Sequence, residues 1–197
     1  MKVYISYFYQ IRNFDKYIIP LSTAMFDPKW YHDNQESTHL FWDKNGVING
    51  LRCYQLIFNH KKYNDWCGST CAYKDKTPLC PYLNAYRRML GMIEWSNLME
   101  FFKSSITYVA SHNKDLDNID KYNVCLIVYE TPTNPCSERR ELIKWFKEQG
   151  VDLIEWDKDL DSTKMPEPID VKGIKEEAKK HPFNVPEEGF VIKIKED

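Results

Sequence analysis

The amino-acid sequence predicts an α/β fold: a three-layer, Rossmann-like open sheet, mostly parallel, with helices on both faces and a Cys-rich loop insertion. Residues 124–129 form a continuous apolar run, which is typical of a strand buried on both faces of a parallel sheet. A proline-containing loop, a segment with apolar residues at helical spacing and a second apolar run follow in that order. This strand–loop–helix–strand succession favours parallel strands joined by crossover helices.

The other elements are predicted from local pattern. Four runs are predicted strands of the sheet, and a fifth run is a weaker candidate because its periodicity is ambiguous. They are Val3–Ile11, Ile18–Met25, Val124–Tyr129 and Val151–Trp156, with Leu51–Phe58 as the fifth. The predicted helices are Pro81–Leu90, Ser96 to about His112, and the segment between Pro135 and Gly150. Asn45-Gly46 predicts a turn or short hairpin.

The chain of 197 residues has the length of one domain with an appendage. We predict an α/β domain over residues 1–160, with the Cys-rich insertion at about 60–81. Residues 161–197 are charged and interrupted by prolines, and we predict a C-terminal extension packed on the same domain.

Composition limits the classes of partner. The net charge is −2 and the pI is near 6.2, so nucleic acid would be bound only through a local basic patch. We expect no membrane association, because no apolar run is long enough to span a bilayer and the amino terminus is too polar for a signal peptide. The expected location is the cytoplasm, or the host cytoplasm if the chain is phage-encoded, and no oligomeric state is predicted.

The insertion contains a candidate metal site. Cys67, Cys71 and Cys80 have a spacing that suits a small structural zinc clip, with His60 or Cys53 as the fourth ligand. In a chain kept in a reducing compartment, cysteines are thiols or metal ligands rather than disulfides. The alternative is that these cysteines are reduced thiols packed against nearby aromatic rings.

The loop after residue 129 contains the main candidate site. Asn134 suits the N-cap of the next helix, with Pro135 at its first position. The unpaired N–H groups of the first turn, including that of Ser137, would then attract an anion, and Arg139 and Arg140 lie within one turn. At this position the thiol of Cys136 would have a lowered pKa and would be a candidate nucleophile. In the alternative, Glu138 offsets the helix dipole, the arginines are solvated and Cys136 is a small buried residue.

Two further segments supply candidate ligand-binding residues. Arg12 and Asn13 follow the first predicted strand at its carboxyl end, where α/β sheets bind ligands. Trp30 and Tyr31 lie in an aromatic turn after the second strand and could stack on a base or a sugar. The alternative for this aromatic pair is packing beneath a loop.

The segment YETPTNPCSERRELIKWF resembles the signature of the domain of unknown function 488 family, in which a strand ends in Glu and a Cys-His-Arg group opens a helix. Glu130 and Cys136 keep the family's spacing, and Cys-Ser-Glu-Arg in place of Cys-His-Arg is similar to phage-type members. The segments YISYFYQIRNF and AMFDPKWY also resemble this family. The resemblance implies a Rossmann-like α/β fold and adds Tyr86 and Arg87 as candidate site residues, but it implies no settled activity.

Together these residues predict that the chain binds a phosphorylated small molecule, a nucleotide or a nucleic-acid component, at a helix N-terminus. Hydrolysis or group transfer is compatible with this pocket, with Glu130 as general base or oxocarbenium stabiliser, Cys136 as nucleophile and Arg139 as phosphate clamp. Two alternatives stay open: a non-catalytic phage-type sequestering or inhibitory protein, and a zinc-stabilised protein-interaction module.

Overall fold

The computed structural model describes residues 1–32, 40–59, 80–134 and 137–157. Six strands are present in these ranges: β1 (Val3–Tyr7), β2 (Ile18–Ser22), β3 (Phe41–Trp42), β4 (Ile48–Asn49), β5 (Asn123–Val128) and β6 (Leu153–Glu155). Three α-helices accompany them: α1 (Pro81–Leu90), α2 (Trp95–His112) and α3 (Arg139–Glu148). The predicted C-terminal extension lies outside the described residues.

The strands β2, β5, β1 and β6 form one sheet in that order, and every neighbouring pair is parallel. The central pair is in register from Val3 opposite Val124 to Tyr7 opposite Val128. Strands β3 and β4 form a separate antiparallel hairpin. The predicted Rossmann-like α/β sheet is confirmed.

Alternate residues of β5 enter two different hydrophobic clusters, as the two-residue period of a strand requires. Leu126 and its neighbours two positions away face the cluster that contains α1, α2 and α3. Cys125 and Ile127 face the opposite cluster, where the 3-10 helical segments Phe8–Asn13 and Lys29–Tyr31 cover the sheet. Within the described ranges, therefore, the three α-helices pack on one face and 3-10 segments take the place of the helices predicted on the other.

The segment between β1 and β2 and the helix between β5 and β6 pack on opposite faces of the sheet, as two crossovers of the same hand require. The chain moves along the sheet in one direction from β1 to β2 and in the opposite direction from β5 to β6. Right-handed connections in opposite directions must lie on opposite faces. The segment after β1 packs in the cluster of Cys125, and α3 packs in the cluster of Leu126. The carboxyl ends of β1 and β5 therefore form a topological switch point, where open α/β sheets bind ligands.

Several predicted boundaries need correction. The first strand ends at Tyr7 rather than Ile11, because Gln10 and Asn13 turn the chain with local hydrogen bonds, 3.1 Å to the Tyr7 hydroxyl and 2.8 Å to Gln10. The predicted strand Leu51–Phe58 is wrong: Arg52 forms an isolated bridge and residues Tyr54–Leu56 form a 3-10 turn.

Two glycine-containing turns agree with the sequence pattern. Gly46 has φ +76° in the β3–β4 connection, and its N–H donates to the Asp43 carbonyl at 3.0 Å. Gly150 has φ +77° after α3, and its N–H donates to the Lys147 carbonyl at 3.0 Å. A positive φ is accessible to glycine without steric cost, which explains both positions.

Candidate functional site

A cleft of about 320 Å³ lies at the carboxyl ends of β2 and β5. We call it the carboxylate cleft; it is lined by Ala24, Met25, Phe26, Phe58, Tyr82, Tyr129, Glu130 and Glu138. Phe26 and Tyr129 are 61% and 62% exposed, so both rings present apolar surface at the cleft. Glu130 and Glu138 are the acidic residues of this lining, and it contains no lysine, arginine or histidine from the described ranges.

The two carboxyl groups interact electrostatically. Burial, followed by the charge of Glu130, raises the pKa of Glu138 to about 7. The Tyr82 hydroxyl donates to Glu138 Oε2 at 3.1 Å, and the Ser137 hydroxyl donates to Glu130 Oε2 at 3.3 Å. Burial, with the nearby charge of Glu138, raises the pKa of Tyr82, so its hydroxyl remains a donor. The arrangement positions two carboxyl groups, one of which gains and loses a proton near neutral pH.

The start of α3 differs from the predicted anion site. The helix begins at Arg139 and Glu138 occupies its N-cap, so a carboxyl group already lies at the positive end of the helix dipole. The Arg139 N–H donates to the Ser137 hydroxyl at 3.2 Å. Cys136 and Pro135 lie outside the described residues. The position of Glu138 agrees with one part of the alternative, in which this residue offsets the helix dipole. The solvated arginines of that alternative do not hold for Arg139, which is buried.

Arg139 is buried rather than presented to a ligand. Its side chain pairs with the carboxylate of Glu155 on β6, and its Nη2 donates to the Glu130 carbonyl at 2.9 Å. The residue is only 1% exposed. The role of phosphate clamp is therefore not retained for Arg139; its contacts are those of a residue that fixes the ends of β5 and β6 against α3. Arg140, the neighbouring candidate, is half-buried.

Tyr86 and Arg87, the candidates from the family resemblance, have structural contacts on α1. Tyr86 is fully buried and its hydroxyl donates to the Leu56 carbonyl at 3.2 Å. Arg87 forms a bidentate ion pair with Glu141 on α3, at 2.7 Å and 2.5 Å, which joins the two helices beside the cleft. Neither residue lines the carboxylate cleft.

The candidates near the amino terminus occupy a different place. Trp30 and Arg12 line a second cleft, and Asn13 bonds to Gln10. Tyr31 is fully buried, and its hydroxyl donates to the carbonyls of Pro20 and Leu51 at 3.0 Å and 2.8 Å. The structure thus does not bring these residues into one pocket with Glu130.

Sequence reasoning missed the buried cluster around Asp27. The Asp27 carboxylate accepts from the Ser22 hydroxyl at 2.5 Å, lies 2.8 Å from His32 Nε2 and is 3.1 Å from Arg52 Nε. Arg52 also donates to the carbonyls of Ala24 and Met25, at 2.8 Å and 3.0 Å. The cluster therefore holds one wall of the carboxylate cleft. The signal for it in the sequence was limited to the polar residues Ser22, Thr23 and Asp27 near the end of the second predicted strand.

Three of the predicted zinc ligands, His60, Cys67 and Cys71, lie outside the described residues. Cys80 is described and is buried directly before α1, and Cys53, the alternative fourth ligand, is fully buried in the core. In the ranges that the structure covers, no three His, Cys, Asp or Glu side chains are grouped to hold a metal ion. Over the same ranges, no helix combines the length and apolar character needed to cross a membrane.

No protein-family model, curated protein or solved structure matches this chain at a significant level. The resemblance to the domain of unknown function 488 family therefore stays a prediction, and function is argued from the geometry of the clefts.

Proposed function

We propose that the carboxylate cleft cleaves or transfers the glycosidic bond of a nucleoside or nucleotide, with Glu138 as general acid and base. The observation that carries this proposal is the pair Glu130 and Glu138, in which one carboxyl group has its pKa raised to about 7 beside a second carboxyl group. A catalytic acid works best when its pKa lies near the working pH. Enzymes that cleave glycosidic bonds commonly use two carboxyl groups in different environments.

The charge of the cleft supports a substrate whose reacting centre is neutral at first and cationic in the transition state. The ionised carboxylate of Glu130 repels a phosphate placed beside it, and the described residues of the lining include no lysine, arginine or histidine. A sugar losing its base develops oxocarbenium character, which a carboxylate stabilises. This revises the predicted ligand-binding mode: the phosphate of a nucleotide is placed away from the start of α3.

In the proposed reaction, protonated Glu138 gives its proton to the departing base nitrogen as the bond to the sugar carbon breaks. Ionised Glu130 stabilises the cationic sugar. Water, or an acceptor hydroxyl in a transfer reaction, then adds to the same carbon and its proton returns to Glu138, which restores the starting state. The rings of Phe26 and Tyr129 are exposed on the cleft lining and suit stacking with the base.

The test is release of free base from a panel of nucleosides and nucleotides, followed by chromatography. Wild-type protein should release base from at least one member, and Glu138→Gln and Glu130→Gln should each lower turnover by roughly a hundredfold or more, as expected for loss of an acid–base group. Glu148→Gln is the matched control, because Glu148 lies on the same helix and is exposed. Ligand binding without base release by the wild type would favour the non-catalytic sequestering protein instead.

A further inference from the structure

A second cleft, of about 400 Å³, lies on the side of the 3-10 segments. We call it the Trp30 cleft; it is lined by Phe8, Tyr9, Ile11, Arg12, Trp30, Phe41, Asp43 and Asn49. The rings of Phe8 and Tyr129, 6.0 Å apart, connect the linings of the two clefts. Its volume falls within the range of small-molecule sites, and four of its lining residues are aromatic.

The Trp30 cleft contains a buried acceptor without a partner. Asn49 is 2% exposed, and its amide nitrogen donates to the Val47 carbonyl at 3.2 Å. This bond fixes the orientation of the amide group, so the oxygen is the remaining acceptor. Among the described residues, nothing donates to Asn49 Oδ1. A buried acceptor left in this way is unfavourable, and a ligand N–H group would satisfy it.

Trp30 is a fixed and exposed aromatic surface. It remains 48% exposed, although the rings of Phe8 and Tyr31 meet it at nearly right angles, with interplanar angles of 89° and 88°. Tyr31 is itself held by its two hydrogen bonds to backbone carbonyls. An indole oriented in this way binds a planar ring by stacking with little loss of side-chain entropy.

Arg12 supplies a cation to the same cleft. Its guanidinium lies 3.4 Å from the centre of the Tyr9 ring, and in the described ranges it forms no ion pair. Asp43, the acidic residue of the lining, already accepts the N–H groups of Asn45 and Val47 at 2.8 Å and 3.0 Å. Arg12 is therefore the group suited to an anion.

We propose that the Trp30 cleft binds a nucleotide as a site separate from the carboxylate cleft. The base stacks on Trp30, an exocyclic amine of the base donates to Asn49 Oδ1, and the phosphate contacts Arg12. A planar ring, an N–H donor and an anion are the three features that these residues require, and a nucleotide combines them. This site goes beyond the proposed reaction, because it needs neither Glu130 nor Glu138.

The test is a calorimetric and NMR titration of the full chain with adenosine 5′-monophosphate. Ribose 5-phosphate and purine riboside 5′-monophosphate are the comparison probes, since the first lacks a base and the second lacks the exocyclic amine. Trp30→Ala should weaken binding of the adenine nucleotide roughly tenfold to a hundredfold, as loss of base stacking does. Tyr108→Ala is the control, because Tyr108 has the same exposure of 48% and lies on α2.

Two further variants separate the other contacts. Asn49→Leu should remove the preference for the adenine nucleotide over the purine analogue, while leaving the analogue's own affinity within about twofold. Arg12→Ala should weaken binding of both nucleotides about tenfold, whereas Arg88→Ala, at an exposed position on α1, should leave them unchanged.

The proposal is overturned if the adenine nucleotide shows no binding at millimolar concentration. It is also overturned if Trp30→Ala and Arg12→Ala bind like the wild type. Retained nucleotide binding in Glu138→Gln is the expected result and distinguishes this site from the carboxylate cleft. Loss of nucleotide binding in a folded Glu138→Gln protein would assign the nucleotide to the carboxylate cleft and contradict the second site.

Discussion

The Tyr82 hydroxyl donates a hydrogen bond of 3.1 Å to Glu138 and so joins α1 to the start of α3 across the carboxylate cleft. Glu138 is 8% exposed and lies beside Glu130, and both conditions disfavour its ionised form. The Tyr82 bond holds the carboxyl group in place and favours its ionised form, but burial and the charge of Glu130 outweigh this effect and keep the proton available near neutral pH. The chemistry proposed for the cleft depends on this combination.

The raised pKa of Glu138 has a consequence for stability. The side chain ionises near pH 4.5 in the unfolded chain but only near pH 7 in the folded chain, so ionisation opposes folding. The penalty is absent below about pH 4.5, develops as the pH rises and is complete above about pH 7, where it amounts to about 3 kcal/mol. Glu138→Gln removes it. Urea unfolding across this range should show the variant gaining stability relative to the wild type as the pH rises, whereas exposed Glu148→Gln should show a flat difference.

The buried pair of Arg139 and Glu155 gives a second prediction. Arg139→Met leaves the Glu155 carboxylate buried without its cation and should lower the free energy of unfolding by roughly 3–5 kcal/mol. The double variant Arg139→Met with Glu155→Leu should recover most of that loss, because an apolar pair replaces the ion pair. Chemical denaturation measures the free energy of unfolding of the single and the double variant. If Arg139→Met alone keeps the stability of the wild type but binds anions more weakly, Arg139 is a ligand-binding residue after all.

The cluster around Asp27 gives a third prediction. The Asp27 side chain is 1% exposed and contacts both His32 and Arg52, so Asp27→Asn should destabilise the fold by roughly 3–5 kcal/mol. Asp120→Asn, at an exposed position, should change stability by less than about 0.5 kcal/mol. If Asp27→Asn and Asp120→Asn unfold at the same temperature, the Asp27 cluster does not hold the wall of the carboxylate cleft.

The zinc clip stays a prediction for the insertion. We expect about one zinc per chain in protein purified without chelator, bound by Cys67, Cys71 and Cys80 with His60 or Cys53 as fourth ligand. Cys67→Ser should lower the zinc content at least severalfold. Cys125→Ala should not, because Cys125 is buried in the sheet. Elemental analysis of all three proteins is the measurement, and wild-type protein with less than about a tenth of one zinc per chain would remove the clip.

The sequence pattern was enough to predict those secondary-structure elements that depend on interactions between residues close together in the sequence. The apolar run of β5, the proline that opens α1 and the glycine after α3 were all readable from the sequence. The first strand was predicted too long because its aromatic composition continues past Tyr7, whereas side-chain hydrogen bonds of Gln10 and Asn13 decide where the chain turns.

The candidate site was harder to predict because its contacts are tertiary. Tyr82 and Glu138 are 56 positions apart, and no spacing in the sequence indicates that α1 and α3 bring them together. Arginine is a common ligand-binding residue, but the direction of the Arg139 guanidinium depends on Glu155, which follows 16 positions later on β6. Trp30 and Arg12 were predicted as ligand-binding residues, and the structure groups them with Asn49, which sequence reasoning did not select.

Glu130 and Glu138 form an interacting pair in which Glu138 titrates near neutral pH. NMR titration of glutamate carboxyl carbons, assigned with Glu138→Gln, measures this directly. We expect the Glu138 signal to titrate at about pH 7 in the wild type. In Glu130→Gln burial still raises the pKa, but the charge of Glu130 is absent, so Glu138 should titrate at a lower pH than in the wild type. Titration of Glu138 near pH 4.5 in both proteins would contradict the claim and the acid–base role built on it.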